Sequence, residues 1–345
     1  METWDVRLLS ASYSSDNENV YLELFGKTRD RKSITILCYG YSPYYYVVDP
    51  DPQVEASLKR TDGVTSLSHD KMYYKGQDHE VLKVVLKNPW DVPSHRSDLR
   101  KKNYHLLSAD IPFHHRFIYD MDMGACFRVT GEPIEKDYTT DLVVKMESFE
   151  NVEPFDPGLK IMSFDLENSI EHDYIYTICA VIKEAGVYRE CEPILGAEKD
   201  IIEGFAELIR KEDPDVLTGY NIDNYDIKHI MERAKANKMV DAMPWGRDHG
   251  QPRLVNDRFW RVRGRVISDA WWAAKRELHP KQETLNAVAS QFLGETKMDV
   301  DPKHMDAEWA KNRDKVIRYC IKDAELALKI LMFVGNIRKG LDLAA

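Results

Sequence analysis

Cysteine is scarce in this chain, and its placement excludes the covalent and metal frameworks it usually builds. The five cysteines among 345 residues (Cys38, Cys126, Cys179, Cys191, Cys320) are odd in number, scattered and never spaced as CxxC. Neither a disulfide scaffold nor a cysteine zinc site is indicated, and the thiols read as reduced, mostly buried small hydrophobes. Long apolar runs are missing too: no stretch approaches the ~20 residues that a membrane helix needs. The opening METWDVRLLSASYSSDNENV lacks the basic start, apolar centre and small-residue cleavage site of a secretory signal, so cytoplasmic residence is the expectation, with no membrane partner. Excess positive charge is also absent. The formal net charge of −10 argues against a surface that grips duplex DNA everywhere, and leaves room for a local groove. No Walker loop, GxGxxG, GxSxG or HExxH occurs in the sequence, which removes the usual signatures of nucleotide, dinucleotide, serine-hydrolase and zinc-protease chemistry. The one adjacent histidine pair, His114 and His115, reads as surface or loop.

What is present is a chain long enough for two domains, 43% hydrophobic and 31% charged, as globular proteins are. Residues 1–155 read as a β-rich α+β domain. Short strands at 20–25, 33–38, 44–48, 81–86 and 141–146 are separated by turn residues, with short helices at 54–60 and 93–102. EPFDPG (Glu153 to Gly158) has the punctuation of a linker. Residues 156–337 then alternate strand and helix. Strands are expected at 160–167, as a hairpin at 175–183 and 187–191, at 216–220, and as a second pair at 258–262 and 265–268. Helices are expected at 198–211, 226–238, 270–277, 283–292 and 308–334. The pattern predicts an α/β domain whose sheet is mixed, because a hairpin interrupts the alternation. A tail, 338–345, follows.

KIMSFDLEN (Lys160 to Asn168) organises that second domain. Side chains two apart on a strand share a face, so Ile161, Ser163, Asp165 and Glu167 point one way and Met162, Phe164 and Leu166 the other. Two like charges side by side repel and cost desolvation energy unless a cation or donors neutralise them. NIDNYD (Asn221 to Asp226) joins a buried strand to a helix, at the strand end where open α/β sheets place ligands; on residue type alone, capping of the helix by Asp223, Asn224 or Asp226 also accounts for it. YCIKD (Tyr319 to Asp323) puts Tyr319 and Asp323 on one helix face with Val316, Cys320, Ala327 and Ile330. An ion pair of Asp323 with Lys315, Arg318 or Lys322 is the alternative to a functional role.

FDLE, NxxxYD and YxxxD in this order resemble the three motifs of the DEDD 3′-to-5′ exonucleases. Tyr319 is similar to the subclass with YxxxD; the sister subclass has a histidine where this chain has Arg318. The spacing, together with GRVISD (Gly264 to Asp269) and TLNAVASQFLGE (Thr284 to Glu295), resembles the proofreading domain of family B DNA polymerases. The resemblance implies a ribonuclease-H-like fold and two Mg²⁺ or Mn²⁺ ions. Asp165, Glu167 and Asp323 would hold the ion that activates water, Asp165 would bridge to the second, and Asp226 would complete that second site. It further implies that Tyr319 orients the attacking water and that Asn221 positions the terminal nucleotide or closes its turn. Single-stranded DNA or a frayed primer 3′ end is the expected partner. A non-catalytic DNA- or uracil-sensing module and an RNA exonuclease are the alternatives. Of Trp271 and Trp272, one is expected to pack in the core and the other could stack a base.

The first domain carries YSPYYYVVD, NPWDVPSHRSDLR and ADIPFHHRFIYD, which resemble the N-terminal domain of archaeal family B polymerases, where such segments line a pocket for template uracil. The pocket residues carried over are Pro43, Val92, Ile111, Pro112, Phe113 and Arg116, with Leu8 where that pocket usually has a tyrosine. No palm-domain motif follows the third acidic segment, so the expectation is a fragment or free-standing relative, with a polymerase module in cis or in trans.

Overall fold

The computed structural model describes residues 1–16 and 19–335; the expected tail 338–345, and residues 336 and 337 of the expected second domain, lie outside them. The chain packs as two compact units. One comprises Met1–Ala11, Leu24–Ile36 and Gly124–Ala345, and the other Ser12–Glu23 and Leu37–Met123. The linker Glu153 to Gly158 runs within the first.

Up to the linker the strands are β1 (Glu2–Ser15), β2 (Val20–Thr28), β3 (Ser33–Cys38), β4 (Tyr44–Val48), β5 (Val64–Tyr74), β6 (Gln77–Leu86), β7 (Leu106–Leu107), β8 (Cys126–Pro133) and β9 (Leu142–Asn151). The helices are α1 (Pro52–Leu58), α2 (Val92–Lys101) and α3 (Phe113–Asp120). A closed barrel runs β1-β2-β3-β9-β8, and a four-stranded sheet runs β5-β6-β4-β7. That sheet buries Tyr45, Val47, Leu82 and Val84 against Val54 and Leu58 of α1 and Leu99 of α2. His114 and His115, read as surface or loop residues, sit half-buried on helix α3, where Phe113, Phe117 and Ile118 recur at helical spacing and are buried.

The site is built on the rest of the first unit: β10 (Ile161–Asn168), β11 (Ile175–Glu184), β12 (Val187–Glu190), α4 (Glu198–Glu212), β13 (Val216–Thr218), α5 (Asp226–Ala236), β14 (Arg253–Val255), β15 (Phe259–Arg261), β16 (Val266–Ile267), α6 (Ala270–Leu278), α7 (Leu285–Leu293), α8 (Met305–Lys311) and α9 (Arg313–Val334). The sheet order is β12-β11-β10-β13-β16. β10 is antiparallel to β11 and parallel to β13, which is parallel to β16, so the sheet is mixed, as expected. The alternation read in β10 divides two cores. Met162, Phe164 and Leu166 pack with Ile201, Phe205 and Ile209 of α4 and Ile227 and Ile230 of α5. Ile161 packs on the opposite face with Ala324 and Leu328 of α9.

Two expectations are corrected. Segments 258–262 and 265–268 do not form a strand pair: β15 pairs with β14, and β16 joins the main sheet beside β13. The single bridge Val262 to Arg265 is all that joins them. The helix expected over 308–334 is two helices, because Asn312 leaves helical geometry at φ −158 and its side chain caps Lys315 N, the role asparagine fills best. All five cysteines are buried and none is in a disulfide, and no described helix is long and apolar enough to cross a membrane.

Candidate functional site

Asp165 and Glu167 leave the carboxyl end of β10 on the face turned to α9, where a bulge between Glu167 and Asn168 interrupts the pairing with β11. Cys320 of α9 donates its thiol to the Asp165 carbonyl at 3.3 Å, fixing the height of that helix on the strand. Asp323 lies one turn further along α9 and is buried.

The second acidic segment is held by a residue that the motif reading left without a role. Asp269, buried at the N-cap of α6, accepts from Asn221 N at 2.8 Å, Asp223 N at 3.1 Å and Trp271 N at 2.9 Å. A carboxylate that gathers three main-chain donors fixes the turn between β13 and α5. Asn221 adopts the left-handed conformation there, φ 68, which asparagine tolerates. Gly219 is required just before it: a Cβ would meet the Phe164 carbonyl at 2.5 Å. Helix α5 has no side-chain cap, and Asp226 is its first residue, so the capping account of this segment fails. Asp223 instead accepts from Trp260 N at 3.0 Å.

The four acids interact. Burial comes first in raising Asp165 well above the carboxylate range, followed by the charges of Asp323, Asp226 and Glu167. Glu167 is raised by burial and by Asp323 and Asp226, against Lys297. Asp226 is pushed up to about 7 by burial, then by Asp269 and more weakly by Asp323, against backbone hydrogen bonds. Asp269 is also pushed up to about 7, by burial working against its three backbone donors. Burial raises Asp323 even though Lys297 opposes it.

Lys297 was not legible as a site residue. It makes an ion pair with Asp323 Oδ2 and a 3.0 Å hydrogen bond to the Tyr319 hydroxyl. This pair replaces the expected alternatives: Lys322 pairs with Glu295 and Glu325, and Lys315 with Glu308. Burial opposes the Lys297 ammonium, but Asp323 and Tyr319 outweigh it and leave the amine above its ordinary range. Burial and the Asp323 charge keep the Tyr319 phenol protonated.

Lys297 opposes the rise of Asp165, Glu167 and Asp323 without reversing it, and Asp323 Oδ1 is buried without a hydrogen-bond partner. Ligand atoms of Asp165, Glu167 and Cys320 fall within 4.8 Å of one another. The thiol is a hydrogen-bond donor held protonated by burial, which leaves the carboxylate oxygens of Asp165 and Glu167, a donor type that suits hard divalent ions; Asp226 and Asp323 do not come within that distance of them as a group. Asp165, Asn221, Lys297 and Asp323 line a cavity of about 480 Å³ with Tyr220, Trp271, Glu283, Thr284 and Leu285. Glu167, Asp226 and Tyr319 are not on its wall.

In the second unit, Pro43, Val92, Ile111, Pro112, Phe113 and Arg116 line one cavity of about 300 Å³. Leu8 is not among the residues of its wall and is itself buried. A tyrosine is present nonetheless: Tyr13, also on the wall, meets the Phe113 ring edge-on at 5.5 Å. The Arg116 guanidinium donates to the Tyr44 hydroxyl at 2.6 and 2.8 Å.

With the geometry in hand, comparison with known proteins gives a consistent result. The sequence profile of the DNA polymerase family B exonuclease domain matches residues 104–288, more than half of the chain. The chain belongs to that family. Among similar proteins, DNA polymerase 1 of Pyrococcus abyssi is 24% identical over 94% of this chain and 42% of its own length. The DNA polymerase delta catalytic subunit of Bos taurus is 26% identical over 90% of this chain and 36% of its own. The fold is shared with the family B DNA polymerase of Pyrobaculum calidifontis, at a TM-score of 0.80 and 22% identity over 99% of this chain and 48% of that one. This family B exonuclease chain thus spans less than half the length of these relatives.

Proposed function

We propose that the chain hydrolyses DNA from its 3′ end, as a proofreading exonuclease does, and that a polymerase module, in cis or in trans, delivers single-stranded or frayed primer ends to it. The observation that carries this reading is the set of carboxyls raised by burial and by one another, of which Asp165 and Asp323 line a cavity of about 480 Å³, with Asp323 Oδ1 lacking any partner. Asp165, Glu167 and Asp323 would hold one divalent ion, Mg²⁺ or Mn²⁺, and Asp165 and Asp226 a second. When bound, such a pair supplies a hydroxide near neutral pH and neutralises charge on the attacking and leaving oxygens. The protein's own groups place the reactants. Lys297 pins the Tyr319 hydroxyl, and a phenol that stays protonated can orient water by hydrogen bonding without taking its proton. Asn221, on the cavity wall, is the candidate for holding the terminal nucleotide.

Incubation of 5′-labelled single-stranded DNA with Mg²⁺ or Mn²⁺ tests the reading: the label should remain on a ladder shortened from the 3′ end, and Asp165→Ala should abolish it. Binding without shortening would establish the non-catalytic alternative, and faster loss from RNA would change the substrate, since metal and phosphate contacts do not read the sugar.

A second reading concerns the second unit. We propose that its cavity captures uracil in a template strand, supported by the convergence there of all six residues carried over from the resemblance, with Tyr13 supplying the aromatic ring that Leu8 does not. Equal affinity for uracil- and thymine-containing single strands would remove it.

A further inference from the structure

Helix α6 places its residues the wrong way round for a packing helix. Its contribution to the apolar cluster is Ala270, Ala273, Ala274 and, at the margin, Leu278, with neither tryptophan included. Two indoles, each carrying a large apolar surface that normally drives packing, are instead left half-buried at its first turn. Their surroundings differ. The Trp272 ring is already covered, with the Arg258 guanidinium 4.2 Å from its centroid and the Phe259 ring at 6.0 Å. Trp271 lines the cavity that holds Asp165, Asn221 and Asp323. Lys275, four residues on and so on the same helix face, brings its ammonium to 4.8 Å from the Trp271 centroid and pairs with Glu283 at 3.1 Å. The Trp272 ring lies 4.4 Å away, tilted by 58°. The indole is thus held in place by a cation and a neighbouring ring while part of it faces the cavity. Aromatic faces interleaved with cations are how proteins hold unpaired bases, each of which offers a π-face whatever its identity.

We infer that Trp271 is the wall against which the base of the 3′-terminal nucleotide stacks, making it a positioning residue that favours a base-bearing, unpaired end without reading which base it carries. This inference rests on the nuclease reading of the cavity. It predicts that affinity depends on the terminal base and that the dependence resides in one ring.

The test compares short 5′-fluorescein single strands ending in a natural nucleotide or in an abasic residue, by anisotropy with the full chain in Ca²⁺. The wild type should bind the base-bearing end on the order of tenfold more tightly. Trp271→Phe should keep most of that gap. Trp271→Ala and Trp271→Met should erase it while leaving affinity for the abasic end unchanged. Equal affinity of the wild type for both ends, or a gap that survives in the alanine or methionine variant, would overturn the inference. The wild-type comparison decides even if a variant does not fold. No hydrolysis is needed, so a missing gap leaves the nuclease reading standing, and an intact gap without cleavage in Mg²⁺ strikes only that reading.

Discussion

Two groups of buried charge lie in the first unit, and they are balanced in opposite ways. In one, Lys27 and Arg247 reach Asp215 at 2.7 and 2.8 Å, while Arg247 and Arg265 reach Asp213 at 3.1 and 2.7 Å. Burial works to raise Asp213, but the two guanidiniums outweigh it and hold the carboxyl below its usual range. In the other group every carboxyl of Asp165, Glu167, Asp226 and Asp323 is raised, and the Lys297 ammonium opposes that rise at Asp165, Glu167 and Asp323. A buried carboxylate whose pKa falls already has the partners it needs and serves the architecture. Carboxylates raised by burial and by one another are short of positive charge, and on the proposed reading divalent ions supply it.

The sharpest way to break the comparison is to substitute one acid from each group. Asp226→Ala, Asp165→Ala or Asp323→Ala should cut hydrolysis of single-stranded DNA by orders of magnitude with the circular dichroism spectrum unchanged; equal activity in any one of them would remove that residue from the site. Asp215→Ala should act on folding instead. It leaves Lys27 and Arg247 facing a lost partner, and breaking a buried pair costs about 3–5 kcal/mol, read as a drop in the urea midpoint; a change within experimental error would show that network to be dispensable.

A smaller effect separates the groups by pH. Asp226 and Asp269 have folded-state values of about 7, above the ordinary 3.8. Between those values the folded chain holds protons that the unfolded chain has released, so metal-free stability should decline as pH rises from about 4 to about 7 and level off beyond. Asp213 works with the opposite sign, its contribution being present above the ordinary carboxylate range and lost in acid. The urea midpoint without metal should therefore be lower at pH 7.5 than at pH 5.5. Saturating Mg²⁺ should remove the difference and Asp226→Asn should shrink it; a midpoint that rises with pH in the metal-free protein would contradict the charge surplus. Smallest of all, Tyr319→Phe should slow hydrolysis less than loss of any acid and leave the pH–rate profile in place, since the phenol is not the proton acceptor.

Much of this was readable where neighbours in sequence are neighbours in space. The strict alternation of Lys160 to Asn168 put Asp165 and Phe164 on opposite faces of the strand, because a strand's period is fixed. The four-residue spacing of Tyr319 and Asp323 put those two on one face of their helix. Partnerships across long separations left no such trace. Lys297 lies between α7 and α8 in a stretch without periodicity, so nothing in sequence points its ammonium at Asp323. Asp269 was visible within GRVISD, but its hold on the Asn221 turn requires knowing that β16 lies beside β13. Pairing of 258–262 with 265–268 looked right because the segments are close in the chain, yet β15 finds its partner upstream in β14. Leu8 stood in sequence where the resemblance expects a tyrosine, whereas the tyrosine found on the cavity wall is Tyr13, five residues further along the same strand.

The most direct test of the charge imbalance is anomalous diffraction from crystals soaked in Mn²⁺. Two peaks among the carboxylates of Asp165, Glu167, Asp226 and Asp323 are expected, about 3.5–4 Å apart, with none at Asp213 and Asp215. No peak at the four acids under saturating Mn²⁺, or a peak that persists there after Asp165→Ala and Asp323→Ala, would contradict the account.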